Sequence, residues 1–451
     1  MEQAMNAEFV VLGGGVAGLT FALAMARRGR QVVVLESEQQ VGGLSRTVVW
    51  GDYRFDLGGH RFHSLNPQLT GWVRHLMDGD LLDVPRSSHI WLDERYVEYP
   101  LRLPNALTAF GLPKAIRVLA SYLRKALVRK DGDSDVSFED WVVRRYGQAL
   151  YDIYFAPYTR KVWGLDCSEL SAEWASDRIK LPSLSVAVRE SLFRRETSPA
   201  TVVSRFLYPQ GGIGLIPQRM AEMALATGRT AIHLNSHASA LRPKEGEPGW
   251  MVQYYQGGER RKIGGDRVIS TVPLGMLVDM LPSTNESFTS LDQRLAYRGV
   301  ICILLAIEGG PLSSDTWTYY PDETLVFGRT HEPANWDPQM VPAHRTSLCL
   351  EIFATPGDET WQRSDSDLLD QVVADLGRVM ALPPQRVLDG KVVRVPYAYP
   401  VYRVGYADEL QRVHKYLARW PNLHLLGRTG SFRYLNLDAV IESALCLADT
   451  F

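Results

Sequence analysis

The sequence predicts an α/β protein made of a Rossmann-type dinucleotide-binding domain, an inserted helical domain and a mixed β-sheet domain that would bind a substrate. Three observations carry this prediction. The segment from Phe9 to Glu36 has the order strand, glycine turn, helix and strand. The apolar run VICILLAI, from Val300 to Ile307, is typical of a buried strand. The chain has 451 residues, which is enough for two or three domains.

The first of these segments contains a Gly-x-Gly-x-x-Gly motif in the setting that its chemistry requires. Gly13 permits a tight turn, Gly15 lets the backbone approach a pyrophosphate, and Gly18 lets the helix pack closely on the strand. The helix N-terminus presents unpaired N–H groups to the phosphates. Glu36 ends the second strand, where the motif has its acidic residue. The segment therefore predicts dinucleotide binding.

A second glycine pair indicates which dinucleotide is bound. Gly42 and Gly43 are followed by Ser45 and Arg46, which would supply phosphate and ribityl contacts that a nicotinamide cofactor does not require. These residues favour FAD as the cofactor. The alternative is a glycine-rich hairpin with an exposed arginine.

Composition excludes several other functions. A formal net charge of -2 provides no overall field for nucleic acid or an anionic membrane, so an anion site must be built locally. No run is long enough to span a bilayer, and the N-terminus lacks the basic start of a signal peptide. The cysteines form no Cys-x-x-Cys pair, which argues against a metal site and favours a reducing cytoplasm. They are Cys167, Cys302, Cys349 and Cys446.

The order of these patterns predicts a discontinuous cofactor domain. The segment after residue 86 turns helical and aromatic, with a basic amphipathic helix from Leu112 to Lys130 and a capped helix that starts at Ser137. The basic face would be solvated, with contact to a membrane surface as the alternative. The predicted division is FAD-binding domain, 1–85; helical insertion, 86–200; return to the FAD-binding domain, 201–296; β-rich substrate domain, 297–420; and C-terminal part of the FAD-binding domain, 421–451.

Seven motifs in this order resemble the UDP-galactopyranose mutase family of flavoproteins and, more distantly, the protoporphyrinogen and amine oxidase superfamily. The resemblance runs over nearly the whole chain and implies a GR2-like FAD-binding domain and a nucleotide-activated sugar as substrate. The motifs are VLGGGVAGL, GGHRFHSLN, PYTRKVWG, YPQGGIGLIPQRM, FGRTHE, YAYPVY and GRTGSFRYLNLD.

The resemblance implies a substrate site. Tyr399, Arg428 and Tyr434 match positions that hold the diphosphate of a sugar nucleotide, and Tyr158 and Trp163 match positions that stack on the base and line the sugar pocket. Two phenol hydroxyls and a guanidinium suit phosphate oxygens, because they donate in a fixed geometry. Buried core tyrosines beside a surface arginine are the alternative.

The resemblance also implies a set of residues around the flavin ring. Arg329 matches an arginine near N5 of the flavin. His60 and His63, which follow Gly59, match a pair of histidines beside the isoalloxazine. These three residues and Trp163 would act in catalysis. Histidines with satisfied core hydrogen bonds are the alternative.

The C-terminal segment is implied to return to the flavin. Arg428, Asn436 and Leu437 would place the positive end of the last helix at the isoalloxazine, with an ordinary N-cap by Asn436 as the simpler explanation. Asn436 stands where the family has an acid. No residue matches cleanly the mobile-loop arginine of the mutases, for which the segment offers Arg178, Lys180 and Arg189.

Two reactions remain compatible with the sequence. The resemblance favours pyranose–furanose isomerisation through N5 of the reduced flavin, without net oxidation. The alternative is an FAD-dependent oxidoreductase that takes hydride from a sugar, an amine or a polyene. A non-catalytic flavin-binding protein is a third reading.

Overall fold

The chain adopts the predicted α/β fold. The computed structural model describes residues 6–99, 111, 113–114, 116–124, 135–178, 204–282, 288 and 291–451. The strands of this part of the chain are β1 Asn6–Leu12, β2 Val32–Leu35, β3 Thr47–Trp50, β4 Tyr53–Asp56, β5 Leu81–Pro85, β6 Ser88–Leu92, β7 Arg95–Glu98, β8 Arg205–Pro209, β9 Thr230–His233, β10 Ser236–Pro243, β11 Trp250–Gln256, β12 Glu259–Ser270, β13 Tyr297–Glu308, β14 Trp317–Tyr319, β15 Arg329–His331, β16 Arg345–Ala354, β17 Val387–Pro400 and β18 Leu423–Leu425.

The α-helices of the described residues pack on both large sheets and form the insertion between them. They are α1 Val16–Arg27, α2 Pro67–Met77, α3 Phe138–Tyr146, α4 Gln148–Leu150, α5 Ala156–Trp163, α6 Ala172–Arg178, α7 Leu215–Ala226, α8 Leu274–Met280, α9 Leu291–Arg294, α10 Glu359–Gln362, α11 Asp365–Met380, α12 Tyr406–Leu417, α13 Gly427–Gly430 and α14 Leu437–Ala448.

The first sheet joins segments that are far apart in the sequence. Its strand order is β10-β11-β12-β1-β2-β9, and β18 pairs with β12. Strand β1 runs parallel to both β2 and β12, and β18 is also parallel to β12. Helix α1 packs against α14 and α7. The carboxyl ends of the parallel strands therefore meet beside the glycine turn before α1, which is where ligands bind in open α/β sheets.

The second sheet is mixed and has the order β17-β13-β16-β15-β14-β6-β7. Its central strand β13 includes VICILLAI, and every residue from Tyr297 to Ile307 is buried. The prediction of a buried strand is therefore confirmed. Strands β6 and β7 pair with this sheet, although their residues fall within the segment predicted as a helical insertion. The predicted domain boundaries remain a prediction.

The insertion contains the capped helix that the sequence predicts. The Ser137 hydroxyl accepts a hydrogen bond from the Asp140 N–H at 3.1 Å, and the Asp140 carboxylate accepts one from the Ser137 N–H at 3.0 Å. These two bonds form a capping box at the start of α3. Of the basic helix predicted from Leu112 to Lys130, residues 113–114 and 116–124 are helical, and the other residues lie outside the described part of the chain.

Candidate active site

The two glycine motifs lie against each other. The Gly42 N–H donates to the Gly14 carbonyl at 2.8 Å, and a Cβ on Gly15 would meet only the Gly43 Cα, at 4.0 Å. Gly15 is the N-cap of α1 and provides no side-chain cap. The first turn of α1 therefore keeps its N–H groups beside an open surface. Such a cradle fits a pyrophosphate.

The remaining residues of these motifs shape the cradle. Gly13 has φ +103°, which favours glycine, and a Cβ on Gly18 would lie 2.1 Å from the Gly13 carbonyl oxygen. The Glu36 carboxylate accepts a hydrogen bond from the Gly14 N–H at 2.6 Å. Arg46 donates to the Gly43 carbonyl at 3.0 Å, and Ser45 is buried at the end of the same turn. Glu36 and Arg46 thus brace the glycine turns from inside the protein.

An arginine and two tyrosines form the centre of a second group of site residues. The Tyr399 and Tyr434 rings stack with centroids 5.6 Å apart and an interplanar angle of 18°. The guanidinium carbon of Arg428 lies 4.6 Å from the first ring and 4.1 Å from the second. The structure therefore brings together the three residues predicted to bind a diphosphate.

Arg428 has unsatisfied donors in this position. Its Nε and Nη2 atoms are buried and have no hydrogen-bond partner in the described part of the chain. Buried guanidinium nitrogens are costly unless they are paired. Arg428 therefore has two donors for an anionic ligand.

Arg329 is held by a carboxylate on the neighbouring strand. Arg329 and Glu351 face each other across β15 and β16 and form a bidentate ion pair, in which Arg329 Nε donates to Glu351 Oε1 at 2.6 Å. Arg329 Nη2 also donates to the Tyr399 hydroxyl at 3.2 Å. Glu351 is 1% exposed and neutralises Arg329. Through this hydrogen bond, the Arg329–Glu351 ion pair contacts the group formed by Tyr399, Tyr434 and Arg428.

Two neutral histidines lie next to Arg329. Burial, reinforced by the positive charges of Arg428 and Arg329, lowers the pKa of His60 to about 3. Burial and Arg329 lower the pKa of His331 to about 3 as well. Each ring has an Nδ1 without a hydrogen-bond partner among the described residues, so neither is a satisfied core histidine. Burial also lowers the pKa of His63, which lies on the same loop as His60.

The residues predicted to line the sugar pocket come from the insertion. The Trp163 ring meets the Tyr399 ring edge-on at 6.1 Å and lies 6.5 Å from the Tyr434 ring. The Tyr158 ring is perpendicular to that of Tyr319 at 5.9 Å. Both residues lie on α5, so the insertion covers Arg428, Tyr399 and Tyr434 from one side.

The C-terminal helix begins without a side-chain cap. Asn436 is the N-cap residue of α14 and is exposed, but its side chain accepts no hydrogen bond from the first turn. Asn436 is therefore the N-cap residue that the sequence predicts, without a side-chain hydrogen bond to the helix. Leu437 packs on the apolar cluster that contains Phe62. Gly59 precedes His60. A Cβ added to Gly59 would lie 3.8 Å from the nearest atom of the Trp336 ring.

Sequence reasoning missed several residues that complete the site. Glu351 stands in the apolar strand sequence SLCLEIFA, and a charge in such a run signals a buried ion pair. His331 is two residues beyond Arg329 and therefore on the same strand face. Arg61 lies between the two predicted histidines, and no local pattern marks it as a separate cation. Tyr319 lies directly opposite Arg329 on β14, a pairing that no local sequence pattern announces.

Some predicted residues lie outside the described residues. Arg178 ends helix α6, whereas Lys180 and Arg189 fall in the segment 179–203. Within the residues that the structure covers, no group of three or more metal-ligating side chains could hold a metal ion. A helix of the length and apolarity needed for a membrane span is likewise missing from these residues.

The fold and the cradle are those of a dinucleotide-binding protein. The chain matches the family described as flavin containing amine oxidoreductase over residues 16–449. The chain belongs to this family and is a flavin-dependent enzyme of the amine-oxidase type.

Individual relatives cover almost the full length of the chain. A probable UDP-galactopyranose mutase of Klebsiella pneumoniae is 24% identical over 99% of this chain and 95% of its own. The chloroplastic protoporphyrinogen oxidase of Nicotiana tabacum is 23% identical over 90% of this chain and 78% of its own. The solved structure of reduced UDP-galactopyranose mutase superposes with a TM-score of 0.85 at 23% identity, over 98% of this chain and 95% of the other. The predicted resemblance is confirmed.

Proposed function

We propose that the protein binds FAD and acts on a nucleotide-activated sugar by pyranose–furanose isomerisation. The observation that carries this proposal is the pair of unpartnered Arg428 nitrogens beside the Tyr399 and Tyr434 rings. The likeness to UDP-galactopyranose mutases supports it.

The hydrogen bonds around Tyr399 suit a diphosphate. Its hydroxyl accepts a hydrogen bond from Arg329 Nη2 at 3.2 Å, so its own proton is free to be donated elsewhere. Burial raises the pKa of Tyr399, which keeps the hydroxyl protonated at pH 7. Arg428 Nε and Nη2 donate to the same anion. A charged donor and a fixed neutral donor then hold the leaving diphosphate in one orientation.

The neutral histidines and the aromatic wall act on the sugar. The flavin, when bound, supplies the nucleophilic nitrogen of its reduced ring. His60 remains uncharged at pH 7, and its Nδ1 can accept a hydrogen bond from a sugar hydroxyl. Trp163 and Tyr158 close the side of the cleft and exclude water from the anomeric carbon.

The alternative function is net oxidation of the substrate. The family is named for amine oxidoreductases, and the protoporphyrinogen oxidase relative covers most of the chain. Such a reaction needs the same flavin cradle but does not need a diphosphate site.

One experiment separates these functions. Heat denaturation of purified protein should release FAD, identified by chromatography. UDP-galactose and a panel of other nucleotide sugars are then added to oxidised and to dithionite-reduced protein, with oxygen consumption, flavin absorbance and sugar products recorded. Turnover only after reduction, without oxygen uptake, supports the mutase. Flavin bleaching by a substrate and a requirement for an acceptor would establish the oxidoreductase instead.

A further inference from the structure

Two arginines that the proposed function leaves unused lie against one tryptophan. The guanidinium carbon of Arg61 is 4.6 Å from the centre of the Trp317 ring, and that of Arg86 is 5.1 Å from it. Arg86 also lies 5.1 Å from the Tyr99 ring. We call these four residues the double-arginine subsite: Arg61, Arg86, Tyr99 and Trp317.

Neither arginine of this subsite is neutralised by the described part of the chain. Arg61 Nε is buried without a hydrogen-bond partner. Arg86 Nε donates to the uncharged Ser88 hydroxyl at 3.1 Å. Neither side chain forms an ion pair with a carboxylate of the described residues, which differs from Arg329 with Glu351 and from Arg298 with Asp358.

Two like charges act on Arg61, which makes its position unfavourable without an anion. Burial lowers the pKa of Arg61, Tyr319 and Tyr434 raise it, and the positive charges of Arg86 and Arg329 lower it further. Partly buried cations that repel each other are retained at a cost in stability. Stacking on Trp317 offsets a part of this cost. A negatively charged ligand would offset the rest.

The sheet geometry places the double-arginine subsite beside the proposed sugar site. Trp317 and Tyr319 are two residues apart on β14 and point to the same face, about 7 Å apart along the strand. Tyr319 is opposite Arg329 and meets the Tyr158 ring. Tyr434, whose ring contacts Arg428, also acts electrostatically on Arg61. We therefore take both arginines to face one ligand, with its diphosphate at Arg428 and a second group at Arg61.

The charges of the cleft set the charge of that ligand. Arg329 is neutralised by Glu351, and His60 is uncharged, so among the described residues of this part of the site the cations without a carboxylate partner are Arg61, Arg86 and Arg428. A bridging diphosphate brings two negative charges. One further negative charge would balance the set, and a planar carboxylate matches the fork of a guanidinium.

We propose that the double-arginine subsite binds a carboxylate on the sugar, so that the substrate is a nucleoside diphosphate uronate. This inference rests on the proposed function, because it takes the diphosphate to lie at Arg428.

The test compares charged and neutral sugars on the flavin-loaded full-length protein. Calorimetric titrations use UDP, UDP-galactose and UDP-galacturonate against wild type, Arg61→Met and Arg86→Met. The methionine keeps the apolar contact with Trp317 and removes the charge. The exposed Arg219→Met, on α7, is the matched control.

We expect UDP-galacturonate to bind wild type about tenfold to a hundredfold more tightly than UDP-galactose, the value of one charged hydrogen-bonded contact. Each subsite variant should lose most of this preference and keep the wild-type affinity for UDP. Flavin content and melting temperature identify a variant that fails to fold, in which case the other variant decides the outcome.

Two negative results have different meanings. If UDP binds but the uronate is not preferred, or both variants keep the preference, the carboxylate subsite is wrong and the proposed function stands. If UDP does not bind wild type, the nucleotide-sugar function itself is wrong, and the carboxylate proposal is wrong with it.

Discussion

The guanidinium carbon of Arg428 lies 4.1 Å from the centre of the Tyr434 ring, and two nitrogens of that guanidinium have no partner among the described residues. We predict that Arg428→Ala weakens UDP binding about tenfold to a hundredfold, since a charged hydrogen bond contributes ~1.5 to 3 kcal/mol. Tyr434→Phe should cost less, because only a neutral hydroxyl is lost. Calorimetry measures both. Arg433→Ala, an exposed neighbour, should bind UDP as wild type does, and equal affinities for all four proteins would refute the diphosphate assignment.

Gly15 and Gly18 should respond differently to substitution. A Cβ on Gly15 meets no atom closer than 4.0 Å, so Gly15→Val should fold but lose the flavin, because the side chain fills the space of the pyrophosphate. A Cβ on Gly18 would lie 2.1 Å from a backbone oxygen, so Gly18→Ala should fold poorly. Flavin absorbance and circular dichroism distinguish the two defects. As the control, Gly71→Ala on the exposed face of α2 should change stability by less than about 1 kcal/mol. A Gly15→Val protein that retains stoichiometric flavin would show that the cradle is misassigned.

Glu351 should stabilise the fold through Arg329. Glu351→Gln leaves the Arg329 guanidinium without a counter-charge, and breaking a buried pair costs about 3 to 5 kcal/mol. We expect the free energy of unfolding to fall by about 3 kcal/mol, the lower end of this range, because 22% of the Arg329 side chain is exposed. Urea unfolding measures the change. Glu308 forms an exposed pair with Arg345 at 3.6 Å, so Glu308→Gln should cost less than about 0.5 kcal/mol. Similar losses for the two variants would contradict this account.

The buried histidine His331 should make the protein less stable in acid. Its pKa is about 3 in the folded protein and 6.5 in the unfolded chain, so between these values the unfolded chain binds a proton that the folded protein does not. This contribution to stability is complete above pH 6.5 and is lost on acidification, by about 1.4 kcal/mol per pH unit. Urea unfolding from pH 7 to pH 4.5 should show a shallower pH dependence in His331→Phe than in wild type. Parallel curves would mean that His331 is protonated in the folded state.

Local sequence patterns predicted those parts of the structure that depend on short-range chemistry. The glycine turns, the Ser137 capping box and the buried strand around Cys302 each follow from residues close in sequence. Arg428, Tyr399 and Tyr434 were grouped only through family resemblance, since nothing local indicates that they meet.

Two of the residues that were missed, Glu351 and Tyr319, depend on strand pairing with the predicted Arg329. Glu351, Arg329 and Tyr319 form one row across β16, β15 and β14. This row exists only when three separate segments align in one register, and a shift of one residue would turn each side chain to the other face. The double contact of Trp317 with Arg61 and Arg86 likewise needs a loop and a strand that are distant in sequence.

The position of β18 in the first sheet affects how the protein is made. Strand β18 completes the pairing with β12, α14 packs on α1, and the Phe451 ring meets the Phe9 ring at 5.2 Å. On the ribosome, the first strand and helix are synthesised more than 400 residues before these partners. The surfaces of α1 and Phe9 that these elements cover therefore stay exposed while most of the chain is made, and the first sheet is complete only after β18 and α14 have been synthesised.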